Sequence, residues 1–316
     1  MTPNTSYRDN ELLIRPRAVP LQRIGSFLSR QIVAYLFLLP AILIFGLVAW
    51  YPIARAFEMS FQDVSLTGES TDVGTANYDL MKLDPARKII LENMMEFASW
   101  SVALGYALPI ILAILIREMR HAKGFFRIVY FLPTVVPISI AVIVWRFIYD
   151  PDAGALNEIL SFFGIPDQIW LYDPKLAKPS LVVVMTWATF GTTTLIYLSS
   201  LMEIPTELYE AAELDGASPL QRIRHVTLPH LFPIMSLLFV LQVISVVQVF
   251  TEPFLLTNGG PGRETLTPVL HIYRRAFERI DLGYASAWSV ALVVILLAFS
   301  LVYYFVNYRI RKIYSD

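Results

Sequence analysis

The chain has 316 residues, 56% of them hydrophobic, with a mean hydropathy of +0.55 and a formal net charge of -1. An ordinary globular domain is about half apolar, so this excess points to a membrane protein, and the near-neutral balance argues against a nucleic-acid partner. With no cysteine there is no disulfide, thiolate metal site or cysteine nucleophile, and His121, His225, His230 and His271 form no pair at ligand spacing inside an apolar run, so no metal is expected.

Residues 1–30 are polar and carry Arg8, Arg15, Arg17, Arg23 and Arg30. The part with Leu21, Ile24, Phe27 and Leu28 between arginines suits a helix lying on a membrane surface, and the rest reads as a basic leader. Six runs then lack any charged side chain: Ile32 to Trp50, Phe97 to Ile116, Ile128 to Trp145, Leu181 to Met202, Leu231 to Phe250 and Ala285 to Val306. Each is about as long as the ~20 residues a helix needs to cross the hydrocarbon core. Ala54-Arg55-Ala56 has the form of a signal cleavage site, but the run before it is too long for a signal peptide and begins about thirty residues in. The first run is therefore read as a retained helix. The expected fold is all-α: six transmembrane helices within residues 31–308 and a tail at 309–316.

The loop from Glu58 to Lys88 contains Gly74, Asn77 and Tyr78, a grouping that an ordinary turn would also produce. Glu92, Asn93 and Glu96 stand at the start of the second run, Pro109 lies inside it, and Pro133 and Pro137 lie in the third. Proline frees backbone carbonyls that in lipid must find partners in neighbouring helices or water, so kinked helices packed around a cavity are expected. The loop from Asp150 to Ser180 holds a short helix around Leu156 to Phe163 and no catalytic constellation; Asp150, Asp152 and Glu158 are not paired across a pocket.

Between the fourth and fifth runs lies a polar segment from Ile204 to Pro233. A short helix from Glu207 to Leu214 carries Leu208, Ala211 and Ala212 at helical spacing. Asp215-Gly216 stops it, glycine being the residue that most readily takes the left-handed conformation ending a helix. Ser218, Pro219, Leu220 and Gln221 then form a capping box with proline at the first helical position, and the second helix is expected to end before Pro229. The product is a helix, a glycine elbow and a helix, which on pattern alone suits either a docking surface or a plain hairpin.

In the fifth run Gln242, Ser245 and Gln248 recur every three residues, followed by Thr251 and Glu252. Amides are costly facing lipid and should point inward. They either tie helices together or line a solute path, for which amides plus the flat rings of Trp187, Tyr197 and Phe250 would suit a sugar. Beyond them, Asn258, Gly259, Gly260, Pro261 and Gly262 make a tight turn.

Glu210-Ala211-Ala212, Asp215-Gly216-Ala217 and Val226-Thr227-Leu228-Pro229 resemble the EAA loop in the permease subunits of binding-protein-dependent ABC importers. The turn at Thr257 to Pro261, Gly74-x-x-Asn77-Tyr78 and Gly283-Tyr284-Ala285-Ser286-Ala287 are similar to the carbohydrate-importer branch that includes the maltose and glycerol-3-phosphate first permeases. The resemblance implies the type I importer permease fold, with 204–230 as the coupling loop that docks on a separate ATPase. It also implies a second permease subunit, different from this one, two ATPase subunits and an extracytoplasmic solute-binding protein near Asn258 to Pro261. No Gly-x-x-x-x-Gly-Lys-Ser/Thr phosphate cradle exists in the chain, so ATP and Mg are expected on the partner ATPase and this chain is expected to be no enzyme. With termini, 117–127 and 203–230 on one side, that side holds fourteen Lys and Arg against nine opposite, which puts both termini in the cytoplasm; the resemblance implies the inner membrane of a bacterial or archaeal cell. An ion-coupled secondary transporter or channel would more often show an ionisable residue within its spans, and an intramembrane enzyme would need a catalytic pair at membrane depth; neither feature is in the runs.

Overall fold

The computed structural model describes residues 21–119, 121 and 123–315 and divides the chain into two units, 1–55 and 56–316; the basic leader, 1–20, lies outside the described residues. In the first unit a helix runs from Leu21 to Phe45, passes a π-turn at Gly46–Trp50 and continues as Tyr51–Met59. Leu21 onward is thus part of the helix that becomes the first span, not a separate surface helix, because nothing between Leu21 and Ala34 breaks a helix. Ala54-Arg55-Ala56 lies inside Tyr51–Met59.

The second unit supplies spans at Ala86–Glu118, Ala177–Met202, Pro219–Val247 and Leu282–Arg309, plus a broken one made of Gly124–Val135 and Ile138–Ile148. The two halves of the broken span meet at 102°. Val136 precedes Pro137, whose ring bars the residue before it from the helical region, and Pro137 itself is extended (φ -55, ψ 134) and caps the next helix. The expected kink is therefore a full break. Pro109, by contrast, sits in a continuous span, behind a π-turn at Val102–Tyr106 whose wider bonding absorbs the local misfit.

The fifth span corrects one expectation. The helix that starts at Pro219 does not end before Pro229 but runs on through a π-turn, Ile223–Thr227, into Leu228–Val247. Pro229 lacks an N–H, and the π-turn just before it, in which the Leu228 N–H reaches back to the Ile223 carbonyl, accommodates the misfit without ending the helix.

The fourth span is the centre of this unit, with 44% of its most apolar window buried, against 6% for the last span. Gly191 lets the third and fourth spans cross closely, since a Cβ there would lie 2.9 Å from Thr134 Cγ2 and 3.1 Å from Phe131 Cα. Small residues at such crossings are how helices associate where lipid removes the hydrophobic drive. Around it, Phe97, Leu181, Val184, Val246 and Leu292 form one core, and Ile110, Tyr130, Tyr197, Leu201 and Leu231 another.

Asn77 and Gly283, both singled out by motif, serve packing. Asn77 Nδ2 donates to the Ser60 and Gln62 carbonyls at 3.1 and 3.0 Å, Tyr78 shares a 2.7 Å hydrogen bond with Ser60, and Gly283 presses against the Gln62 carbonyl.

A third core, with Ile90, Leu270, Tyr284 and Trp288, encloses Asp84 and His271. Burial raises the Asp84 carboxyl, but the Ala86 N–H, the Tyr284 hydroxyl and the nearby cations outweigh it and hold the carboxyl below its ordinary range. Burial, aided by Arg275 and only partly opposed by Asp84, lowers His271 to about 4. The unfolded chain, with histidine near ~6.5, then binds more protons than the native one between about pH 6.5 and 4. Stability is therefore expected to fall as pH drops through that window. Thermal melts of wild type and His271→Gln should show it, the variant losing much of the slope; parallel slopes would contradict the assignment.

Candidate functional site: the elbow and the fifth-span cleft

Two features meet on the fifth span. At its start, the first helix of the elbow spans Thr206–Leu214 and ends in a Schellman motif: Gly216 N–H donates to the Glu213 carbonyl at 3.0 Å and Ala217 N–H to the Ala212 carbonyl at 2.9 Å. Gly216 has φ +78, as that motif requires of its glycine. The restart is the expected capping box, with Ser218 N–H donating to Gln221 Oε1 at 2.7 Å and Gln221 N–H to Ser218 Oγ at 3.4 Å.

The elbow is anchored from below. Ile204 is buried, Tyr209 and Val226 pack on the core around Leu201, the Tyr209 hydroxyl bonds Thr227 Oγ1 at 2.9 Å, and Arg117 stacks 3.9 Å over the Tyr209 ring. Arg222 spans the two helices to reach Glu213 at 3.2 Å. Above this anchor Glu210, Ala211, Asp215 and Gly216 are exposed, Ala212 and Ala217 partly so; at the base Leu228 is half-buried and Pro229 exposed. Leu214 and Leu220, which the motif did not mark, are 90% and 75% exposed and make the tip apolar. Their signal was present in the sequence as leucines flanking a glycine in a polar segment.

At the other end of the fifth span a cleft of about 600 Å3 is lined by Gln242, Ser245, Gln248, Phe250, Thr251 and Glu252, and across from them by Gly105, Tyr106, Thr134, Thr189 and Thr193. The polar stripe is thus gathered on one wall, although Gln248 stands outside the helix that carries Gln242 and Ser245. The helix ends at Val247 and Gln248 is its cap. Gln242 does both things the sequence left open: it lines the cleft, and its Nε2 donates to Ser101 Oγ at 2.5 Å, close over Gly105 in the Val102–Tyr106 π-turn. Hydroxyls of Thr134, Thr189 and Thr193 donate to carbonyls of their own helices and face the cleft as acceptors, while Gln248, Ser245, Thr251 and Glu252 add further polar groups for a ligand.

Of the three rings expected beside the path, Phe250 alone lines this cleft. Tyr197 is a correction: it does not line the cleft but is fully buried in the second core, because its position on the central fourth span turns it inward. Trp187 packs edge-on against Trp145 at 5.9 Å. Asn258 to Pro261 form the expected turn, closing a π-turn at Pro253–Thr257, with Asn258 left-handed at φ 46 and accepting Arg274 at its carbonyl and its side chain. Among the described residues no group of acidic or histidine side chains is arranged to hold a metal.

Comparison with known proteins agrees with this architecture. The profile described as the binding-protein-dependent transport system inner membrane component matches residues 105–312. A probable ABC transporter permease of Bacillus subtilis strain 168, YurN, is 36% identical over 86% of this chain and 95% of its own length. The trehalose/maltose transport system permease MalF of Thermococcus litoralis is 32% identical over 85% of this chain and 91% of its own. Among solved structures, a chain of a bacterial alginate ABC transporter in complex with alginate pentasaccharide-bound periplasmic protein has a TM-score of 0.81 and 25% identity, covering 92% of this chain and 99% of that one. By profile, sequence and fold alike, the chain belongs to the inner membrane components of binding-protein-dependent transport systems, the permease subunits of ABC importers.

Proposed function

We propose that this permease forms half of the path for a saccharide, delivered by an extracytoplasmic binding protein, and is driven by ATP and Mg bound on two separate ATPase subunits. The second half of the path is a different permease chain. Both termini and the elbow lie in the cytoplasm, and Glu210, Ala211, Ala212, Asp215, Gly216, Ala217, Leu228 and Pro229 form the ATPase-coupling surface. Asn258, Gly259, Gly260 and Pro261 lie where the binding protein docks.

The observation that carries this reading is that one helix joins elbow and cleft. A displacement of the elbow is transmitted along the Pro219–Val247 helix, past the Met235 and Ser236 carbonyls that accept from Tyr106 and Tyr303, to Gln242 and its hydrogen bond to Ser101. The saccharide assignment is supported by the chemistry of the wall, amides beside Phe250 with Glu252 as its one charge. Support also comes from relatives whose names give trehalose/maltose and arabinooligosaccharides as transported solutes. Nucleotide and binding protein would each bias the two arrangements of the bundle, inward-open and outward-open.

Reconstitution in proteoliposomes with candidate ATPase subunits, a partner permease and a binding protein, against a panel of neutral and acidic saccharides, tests the proposal. ATP-dependent, saturable uptake is expected; ion-gradient-driven uptake by this chain alone would overturn it. In the same assay Gln242→Leu and Gln248→Leu are expected to lower uptake about tenfold or more. The cost in assembly should be small, since a membrane interhelical hydrogen bond contributes only about 0.6 kcal/mol. Normal transport by both variants would return the two amides to packing.

A further inference from the structure

At the end of the bundle opposite the elbow a second cleft, of about 380 Å3, opens between the start of the second span and the segment 263–279. Arg263, Arg274, Arg275, Arg279 and His271 border it, against the carboxylates of Asp84 and Glu278. The carboxylates are largely spoken for. Asp84 Oδ2 accepts from Arg275 at 2.9 Å and the Tyr284 hydroxyl at 2.8 Å, and its Oδ1 accepts from the Ala86 N–H at 2.8 Å. Glu278 lies 4.0 Å from Arg274, which also donates to Asn258.

Arg263 and Arg279 have no carboxylate within ion-pair distance among the described residues. Even with Asp281, 3.7 Å from Arg275, counted in, positive charge is in excess. His271 is 7% exposed and its Nε2 has no hydrogen-bond partner, with Asp84 Oδ2 3.7 Å away, beyond hydrogen-bond reach. Arg263 and Arg279 are exposed and solvated, so the cost falls on His271 Nε2, a buried polar atom that is expensive to leave without a partner unless something fills the gap. Arg263 is moreover held at φ +78, a conformation that side-chain-bearing residues rarely adopt, with its carbonyl taken by Asn93 Nδ2 at 2.8 Å. Backbone strain of this kind collects at ligand sites.

We propose that this cleft binds a phosphate-class oxyanion, free or borne on a lipid headgroup, through Arg263, Arg279 and the His271 Nε2–H. A tetrahedral anion accepts from several directions at once, which suits guanidiniums on two separate segments and an imidazole between them; a planar carboxylate would satisfy one fork. The volume leaves room for an ester substituent. The bound anion would bridge the loop after the Gly259-Gly260-Pro261 turn to the residues that start the last span.

The test is equilibrium dialysis of the full-length chain in neutral detergent with radiolabelled inorganic phosphate at fixed chloride, with short-chain phosphatidic acid as a second probe. One saturable site is expected for at least one probe, weakened tenfold or more in Arg263→Gln/Arg279→Gln and unchanged in Arg87→Gln, an exposed arginine outside the cleft. Phosphate binding by itself identifies a free anion; binding of phosphatidic acid alone identifies a headgroup. Arg279→Gln, altering one exposed side chain, replaces the double variant if that fails to fold. Saturable binding of neither probe, undiminished binding by the variants, or an equal loss in Arg87→Gln would overturn the proposal.

Discussion

Replacing Gly216 with proline is expected to abolish solute-stimulated ATP hydrolysis and uptake, by more than tenfold, while the protein still inserts and assembles. Gly216 has φ +78 and proline is confined near −65°, so the turn has to reverse its sense. The Gly216 N–H, which donates to the Glu213 carbonyl at 3.0 Å, is lost as well. Both defects fall on the tip, redirecting Ala211 and Leu214, whereas the anchor from Tyr209 to Thr227 lies on the bundle side and survives. Gly216→Ala is the control. No atom lies within 4 Å of its Cβ, so its cost is the left-handed penalty of about 1–2 kcal/mol, and most coupling should remain. Wild-type hydrolysis and uptake in the proline variant would remove the elbow from the coupling path.

Gly191→Leu is expected to have the largest effect on folding. A Cβ at this position already meets Thr134 Cγ2 and Phe131 Cα at 2.9 and 3.1 Å, and the Tyr130 carbonyl is closer still. Backbone cannot rotate aside as a long side chain would, so the third and fourth spans must separate. Overpacking in a tight core costs about 1–3 kcal/mol, and this substitution belongs at or beyond the upper end because the fourth span is the one most buried. Melting in detergent and the yield of monodisperse protein report it, with Gly191→Ala falling between wild type and Gly191→Leu. A leucine variant as stable as wild type would mean that the two helices do not cross as closely as described.

How much of this was readable beforehand depended on the range of the interaction. The elbow was fully legible at Asp215-Gly216 and Ser218-Pro219-Leu220-Gln221, because Schellman motifs and capping boxes close within six residues. The fifth-span stripe was legible too, since a three-residue recurrence of amides in an apolar helix has to face inward. Pro229 misled because a proline read locally signals a helix end, while here the π-turn just before it absorbs the misfit and the helix continues. Tyr197 misled for a different reason: one aromatic residue in a uniformly apolar span carries no mark of which way it faces. The Arg263–His271–Arg279 cleft had no local signature, its members being spread over seventeen positions of a turn and short helix and completed by Asp84 from a distant segment.

By itself the sequence determined that the chain holds apolar runs long enough to cross a membrane, where the elbow before the fifth run bends, and which family it resembles. Chain-local quantities set these: apolar run length, backbone preferences of glycine and proline, and the absence of a nucleotide cradle. Only the tertiary structure decided that the third span breaks at 102° and that elbow and cleft share one helix. It alone decided that Gln242 reaches Ser101 and that Tyr197 is sealed away. Those outcomes depend on which helix faces which, and in a medium as apolar as the side chains that choice is made by close approach at residues such as Gly191 and Gly105, not by hydrophobicity.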